Sequence, residues 1–302
     1  MDANIADKNI ASASSKSFKM ISPKKPKASS FDGVSLLLNG AVKLSAFLTA
    51  FVLVFIILYI LVKGIPNITP SLFEWTYTTD NVSFMPAIIN TIIMVLFTLL
   101  ISVPVGVCSA VYLVEYAKRG NPIVKIVRTT TETLQGIPSI VYGLFGSLFF
   151  VKFLHWDLSL IAGAFTLAIM VLPLIMRTTE EALLSVDDSY REGSFGLGAG
   201  KLRTVFVIIL PAAMPGILSG VILAIGRIVG ETAALIFTAG TIAKIPSSVF
   251  SSARTLAVHM YALYSEGLYM KQAYATAVIL LVTVIIINTL SVAVVRMFTK
   301  GK

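Results

Sequence analysis

The segment YREGSFGLGAGKLRTVFVIILP, residues 190–211, combines closely spaced glycines with a lysine, the residue types from which phosphate-binding loops are built. A P-loop requires glycine, four residues, then Gly-Lys followed by Ser or Thr, because the hydroxyl holds magnesium. If Gly200 and Lys201 end such a loop, its first glycine falls on Phe195 and its hydroxyl residue on Leu202. The spacing therefore argues against a P-loop, and the glycines must serve another purpose.

Arg227 and Glu231 form a second chemical feature, because they interrupt an otherwise apolar stretch. On a continuous helix a spacing of four residues places both side chains on one face. An arginine at mid-membrane costs at least about 2.5–3.5 kcal/mol, so it normally pairs or lines a polar cavity. Two interpretations stay open: a self-neutralising pair that locks the helix, or a pathway in which the guanidinium binds an oxyanion. Arg177 either joins that pathway or snorkels to the interface.

The composition indicates what positions these residues. Apolar residues make up 56% of the 302 and charged residues 13%, about half the charge of an ordinary soluble domain. Six apolar runs are each long enough, at about 20 residues, to cross a bilayer. These runs are 44–62, 81–114, 133–151, 158–176, 204–226 and 272–295. The sequence therefore predicts an all-α integral membrane protein with six transmembrane helices.

The distribution of Lys and Arg predicts the orientation. With six spans both termini lie on one side, and 18 of the 24 basic residues fall on that side, in segments 1–43, 115–132, 177–203 and 296–302. Because cytoplasmic loops carry the excess of positive charge, we expect both termini in the cytoplasm.

Residues 1–43 are rich in Ser and Lys and predict a disordered, basic cytoplasmic tail. The tail either stays solvated or contacts anionic lipid through Lys24, Lys25 and Lys27.

The remaining chain divides into a first transmembrane helix over 44–63 and a core of five helices over 86–298. The core contains a cytoplasmic loop, 177–211, in which we expect a short helix, a glycine turn and a second short helix. A longer external loop, 240–271, contains SSARTLAVHMYALYSEG, which predicts a short surface helix.

The cytoplasmic loop resembles the signature of ABC importer permeases: Glu-Ala-Ala, three residues, Gly, nine residues, then Ile-x-Leu-Pro. The matching positions are Glu192, Gly198, Ile208, Leu210 and Pro211. Gly193-Ser194 replaces the two alanines, which keeps the side chains small. In that family the element is a coupling helix that fits a groove on an ATPase subunit. The resemblance therefore implies ATPase coupling through Glu192, Phe195, Leu197, Gly198 and Pro211.

Three further segments are similar to phosphate-specific ABC permeases of the PstA type, over roughly residue 88 to the C-terminus. They are LQGIPSIVYGLFG from Leu134, RTTEEAL from Arg177 and LPAAMPGILSGVILAIGRIVGETAALIFTA from Leu210. The resemblance implies the type I importer (MetI-like) fold in a bacterial inner membrane. It also implies passage of inorganic phosphate along Arg227 and Arg177. Glu231, the third residue of the expected pathway, either holds Arg227 in place or accepts a hydrogen bond from a protonated phosphate.

The resemblance further implies a set of partners. These are a homologous permease of the PstC type, two copies of an ATPase of the PstB type, an extracytoplasmic phosphate-binding protein of the PstS type, and membrane lipid. No nucleic acid is expected. ATP and magnesium would bind the ATPase, so this chain should hold no cofactor and catalyse no reaction. Cys108, His155 and His259 lack metal-ligand spacing, and no metal site is expected.

Two alternative functions stay open at this point. A permease for sulfate or another oxyanion would need similar charges, since charge spacing alone does not separate these anions. A proton-coupled secondary transporter could use Arg227 and Glu231 as a relay, although it would not need the Glu192–Pro211 signature.

Overall fold

The computed structural model describes residues 33–118 and 120–299, and every regular element within them is helical. The helices are α1 (Gly33–Gly64), α2 (Met85–Val111), α3 (Pro122–Gln135), α4 (Ser139–Gly146), α5 (Leu160–Leu184), α6 (Asp188–Gly196), α7 (Leu210–Val229), α8 (Ala233–Thr238), α9 (Leu256–Glu266) and α10 (Met270–Thr299). Turns of π-helix, Tyr112–Tyr116 and Ser147–Phe153, extend α2 and α4, while Lys201–Arg203 and the π-turn Thr204–Ile209 lead into α7. Two 3₁₀ turns, Ile65–Asn67 and Pro70–Phe73, follow α1.

The first helix is longer than the sequence predicts. It begins at Gly33, so the predicted span 44–63 lies within it and residues 33–43 of the predicted tail are helical. Residues 1–32, including the three lysines considered for lipid contact, lie outside the described residues. The chain divides into two compact units at Ile56, inside α1.

Helix α5 is the centre of the core, and two thirds of its most apolar stretch is buried. Residues 160–176 of this helix carry no charged side chain, as expected of a helix surrounded by protein. Small residues allow close neighbours: a β-carbon on Gly106 of α2 would lie 2.7 Å from the Ile175 side chain. Several buried hydroxyls donate to carbonyls of their own helices; Thr166, for example, donates to the Ala162 carbonyl at 2.7 Å.

The prediction of one continuous third span over 133–151 is wrong. Helices α3 and α4 are separate and bend by 104° at a break that contains Gly136 and Pro138. Proline disfavours helical geometry at the residue before it and lacks an N–H, so the helix ends at Gln135.

Contacts with α5 show that α3 and α4 together still make one crossing. Contacts with α5 follow one order along the chain: residues 128, 132, 135 and 146 of α3 and α4 meet residues 180, 177, 173 and 166 of α5. The pair therefore advances along α5 in the opposite chain direction. Helix α2 runs parallel to α5, because Met94 lies near Gly163 and Gly106 near Ile175. A chain that leaves α2 at one membrane face must therefore cross through α3 and α4 to start α5.

The count of six crossings follows from that path. Among the described residues, five single helices are long and apolar enough to span a membrane, and the broken pair is the sixth. The loop before α10 contains the predicted short helix, α9, but this helix is not purely superficial. Leu256 and Leu263 are fully buried, whereas Tyr261 and Tyr264 are exposed.

The orientation can be tested with single cysteines in a Cys108→Ala background. Ser247 lies exposed in the loop before α9, and Leu197 is 91% exposed after α6. We expect a membrane-impermeant maleimide to label Ser247→Cys in intact spheroplasts and Leu197→Cys only after permeabilisation. The unsubstituted Cys108→Ala protein is the background control. Labelling of Leu197→Cys in intact spheroplasts would overturn the predicted cytoplasmic position of this loop.

Candidate functional site in the middle of the helix bundle

Arg227 lies level with the middle of α5. The depth is fixed by Gly220 of α7, which lies so close to Thr178 of α5 that a β-carbon would overlap the threonine side chain. Because α7 runs antiparallel to α5, the seven residues from Gly220 to Arg227 correspond to about 10 Å back along α5, to the level of Val171. Helix α5 spans residues 160–184, so this level is its midpoint. The prediction that Arg227 lies at mid-depth is consistent with this placement.

Both helix breaks lie close to that depth. The Gln135 side-chain amide, at the last residue of α3, donates to the Pro173 carbonyl of α5 at 3.0 Å. Helix α7 ends at Val229, two residues beyond Arg227. Discontinuous helices in transporters typically place their ends at substrate sites near the midplane. Arg227 therefore lies where two spans depart from helical geometry.

Glu231 does not share a helical face with Arg227, and the prediction of an i,i+4 pair is wrong. Gly230 follows the end of α7, and Glu231 lies in the break before α8. Its Oε1 accepts the Ala234 N–H at 3.1 Å, so the carboxylate caps α8. Glu231 is 8% exposed, and Arg227 makes no ion pair within residues 33–118 and 120–299.

Tyr142 closes the α3–α4 break. Its hydroxyl donates to the Leu134 carbonyl across that break at 2.7 Å. One residue later, a β-carbon on Gly143 would lie 2.7 Å from the Ala234 Cα, so α4 and α8 are in close backbone contact. Sequence reasoning did not single out Tyr142 as a site residue, because no local pattern places its hydroxyl on the Leu134 carbonyl.

Arg177 belongs to an ion-pair group at the cytoplasmic half of α3 and α5. It contacts Glu181 at 3.0 Å and Glu132 at 3.5 Å, while Arg128 contacts Glu180 at 2.5 Å. These side chains line a cleft of about 190 Å³. Arg177 is thus held in ion pairs, which differs from simple snorkelling to the interface. It lies at the mouth of a polar cleft, about 9 Å along α5 from the level of Arg227.

The predicted coupling loop has the expected form of two helices around a glycine turn. Asp187 caps α6 by accepting the Ser189 N–H, and α6 ends before Gly198, whose φ is +83°. Only glycine adopts that conformation without strain. Beside the turn, Phe195 is 47% and Leu197 91% exposed. The structure thus exposes the two apolar side chains at which ATPase coupling is predicted.

The coupling loop is also fastened to the spans behind it. The Ser194 and Thr204 hydroxyls form a buried 2.8 Å hydrogen bond between α6 and the start of the α7 span. Lys201 lies over the Tyr116 ring at 5.1 Å. The Arg191 guanidinium, next to Glu192, contacts Glu115 at 2.8 Å. Neither Arg191 nor its partner was predicted, since the two are 76 residues apart.

Comparison with known proteins agrees with this arrangement. Residues 102–302 match the family described as the inner membrane component of binding-protein-dependent transport systems. The chain belongs to this family. Its members are membrane subunits of transport systems, so the prediction that the chain is a permease rather than an enzyme is confirmed at that level.

Two curated relatives give the same family. The chain is 38% identical over 192 residues to a probable ABC transporter permease protein, YqgI, of Bacillus subtilis, which covers 59% of this chain and 65% of the relative. It is 39% identical over 182 residues to the phosphate transport system permease protein PstA of Haemophilus influenzae, covering 59% of this chain and 64% of that protein. The matches thus span just under two thirds of these relatives.

A solved structure confirms the fold. The inward-facing MetNI methionine ABC transporter aligns with a TM-score of 0.55 at 21% identity, over 80% of this chain and 97% of that chain. At this identity the likeness concerns the fold alone. It confirms the predicted type I importer fold.

The glycine turn allows a matched pair of substitutions. A β-carbon would meet nothing within 4 Å at either Gly198 or Gly196, but only Gly198 has a positive φ. Gly198→Val should strain the turn by about 1–2 kcal/mol, whereas Gly196→Val should not. We expect Gly198→Val to lower copurification of the ATPase subunit at least about fivefold, the equivalent of 1 kcal/mol. Equal copurification by the two variants would contradict a role for the turn in docking.

Proposed function

We propose that this chain is a permease subunit of an ATP-driven importer of inorganic phosphate. The observation that carries the proposal is a half-buried arginine, Arg227, at mid-depth between two helix breaks and without an ion-pair partner in the described ranges. A cation held there offsets the desolvation of an anion that crosses the bundle. The PstA relatives, named for phosphate transport, support the choice of anion.

Glu231 supports phosphate over sulfate. One carboxylate oxygen caps α8, and the other accepts no hydrogen bond within the described residues. Phosphate at neutral pH keeps at least one proton and can donate it to a carboxylate, whereas sulfate is fully ionised and would only be repelled. A guanidinium at Arg227 and a carboxylate at Glu231, four residues further along the chain, therefore suit a protonated oxyanion.

The proton-coupled alternative loses the feature on which it depended. A proton relay through Arg227 and Glu231 requires contact between the two side chains. The helix break instead places Glu231 beyond the end of α7, where its carboxylate caps α8. The exposed coupling loop, with Leu197 at its tip, instead fits an ATPase that drives the cycle from the cytoplasm.

We extend the proposal to the complete assembly. A PstC-type permease would cover the open side of the Arg227 site, two PstB-type subunits would bind ATP and magnesium at the coupling loops, and a PstS-type protein would deliver phosphate from outside. This chain itself would hold no cofactor. Mass spectrometry of subunits that copurify from native membranes identifies these partners.

Arg227→Gln tests the anion pathway without disturbing a salt bridge, because Arg227 and Glu231 are not paired. We expect phosphate uptake by the assembled complex to fall at least about tenfold, since hydrogen bonds to charged groups contribute about 1.5–3 kcal/mol. Arg227→Lys keeps the charge but loses the bidentate fork, and uptake should be intermediate. Lys152→Gln, which removes an exposed cation at the end of the broken α3–α4 span, is the control. Normal uptake by assembled Arg227→Gln would remove Arg227 from the pathway.

Glu231→Gln tests the selectivity argument. Glutamine keeps a carbonyl oxygen for the Ala234 N–H, so α8 stays capped, but it replaces the anionic acceptor with an N–H donor. We expect the ratio of phosphate to sulfate uptake, measured by isotope competition, to fall at least about fivefold, because the cost of facing a fully ionised anion disappears. Unchanged selectivity in a variant that still transports would exclude Glu231 as the discriminating residue.

A further inference from the structure

We propose that Arg191 is the positioning residue that makes the coupling helix α6 and the cytoplasmic ends of α2 and α5 move as one body. This inference rests on the proposed coupling to an ATPase and names the contact inside the membrane subunit that transmits it. No part of the ABC permease signature places this role on Arg191.

The Arg191 side chain connects three elements at once. Its Nη2 and Nε donate to Glu115 Oε1, in the π-turn after α2, at 2.8 and 3.2 Å. Nη2 also donates to the Leu183 carbonyl and Nη1 to the Val186 carbonyl, at 3.0 and 2.9 Å, where α5 ends. Nη1 further contacts Asp188, in the first turn of α6, at 3.0 Å.

The Arg191–Glu115 pair is the least exposed ion pair among the described residues. The side chains are 17% and 8% exposed, whereas both partners of the Arg177 pairs are about half exposed or more. The hydrogen bond that Arg191 donates to Glu115 raises the pKa of Arg191 above its already high value. A buried pair of this kind is costly to break, because the remaining charge would be left without a partner. The Arg191–Glu115 contact therefore keeps its geometry when a partner displaces the coupling loop.

The Arg191 guanidinium also caps the C-terminal end of α5. The last carbonyls of a helix have no partner within it, and Arg191 supplies a donor to one of them, that of Leu183. The positive charge also opposes the negative end of the helix dipole. A lysine would keep one charge contact but could not reach Glu115, Leu183 and Val186 together.

Movement of α5 would reach the Arg227 site through α3. Two ion pairs, Arg128–Glu180 and Arg177–Glu132, join α3 to α5, and the Gln135 amide is bonded to the Pro173 carbonyl. Because α3 ends at the break beside Arg227, a shift of α5 displaces one wall of the site. The described contacts thus form a continuous path from α6 to that break.

The test uses the assembled complex in proteoliposomes and the variants Arg191→Gln, Arg191→Lys and, as control, Lys125→Gln. Lys125 lines the same cytoplasmic cleft as Arg191 but is exposed. We expect ATPase copurification within twofold of the parent for Arg191→Lys, with phosphate transported per ATP hydrolysed at least fivefold lower. Arg191→Gln should be lower still, and Lys125→Gln should match the parent.

The lysine variant decides the case if the glutamine variant fails to assemble. An assembled Arg191→Lys complex with the parental transport-to-ATP ratio would overturn the proposal. Loss of assembly in Arg191→Lys would overturn it too, because Arg191 would then serve folding alone.

A second readout does not depend on phosphate uptake and separates this inference from the proposed function. Spin labels at Leu197→Cys and Lys118→Cys, in the Cys108→Ala background, report the distance between α6 and the end of α2. We expect one narrow distance distribution with and without ATP in the parent, and a broadened one in Arg191→Lys. If the parent complex carries no phosphate, the proposed function fails, whereas an unbroadened distribution in Arg191→Lys contradicts the rigid joint itself.

Discussion

A backbone that leaves helical geometry within the hydrocarbon core must satisfy its own N–H and C=O groups, because no water is available there. The two breaks in this bundle meet that constraint with side chains: the Tyr142 hydroxyl binds the Leu134 carbonyl, and the Glu231 carboxylate binds the Ala234 N–H. Close contact between Gly143 and Ala234 then brings together α4 and α8, the helices that follow the two breaks. This local solution permits polar groups, Arg227 among them, at a depth where a continuous apolar helix would leave no room for them.

The helix that organises this arrangement is α5. Its apolar surface is surrounded by α2, α3 and α7, and small residues such as Gly106 and Gly220 bring the neighbouring backbones close to it. At its cytoplasmic end, Arg191 fastens α5 to the coupling helix and to α2. Helix α5 therefore supports the site in the middle of the bundle and also follows any movement of the coupling helix α6. A bundle packed this closely is displaced in discrete steps rather than deformed continuously.

Much of the fold was predictable, because hydropathy and the placement of Lys and Arg follow directly from the bilayer as a solvent. Gly136 and Pro138 indicated the break in the third span. Composition alone, however, does not show whether such a segment crosses the membrane or turns back within it. Gly230 marked the end of α7 in the same way. The assumption that the helix continues past Gly230 gave the incorrect Arg227–Glu231 pair. The Arg191–Glu115 pair depends on a contact between segments 76 residues apart, which no local pattern contains. The sequence was therefore most informative about features that local chemistry sets, such as the glycine turn at Gly198 with its positive φ.

The central claim is that this chain forms part of an ATP-driven phosphate pathway. The most direct measurement is phosphate accumulation against its gradient in proteoliposomes that contain this chain, a second permease, the ATPase subunit and the binding protein. The account predicts accumulation that requires ATP on the cytoplasmic side and phosphate-loaded binding protein outside, and that persists when a protonophore abolishes the proton gradient. Accumulation without ATP that collapses with the proton gradient would contradict it.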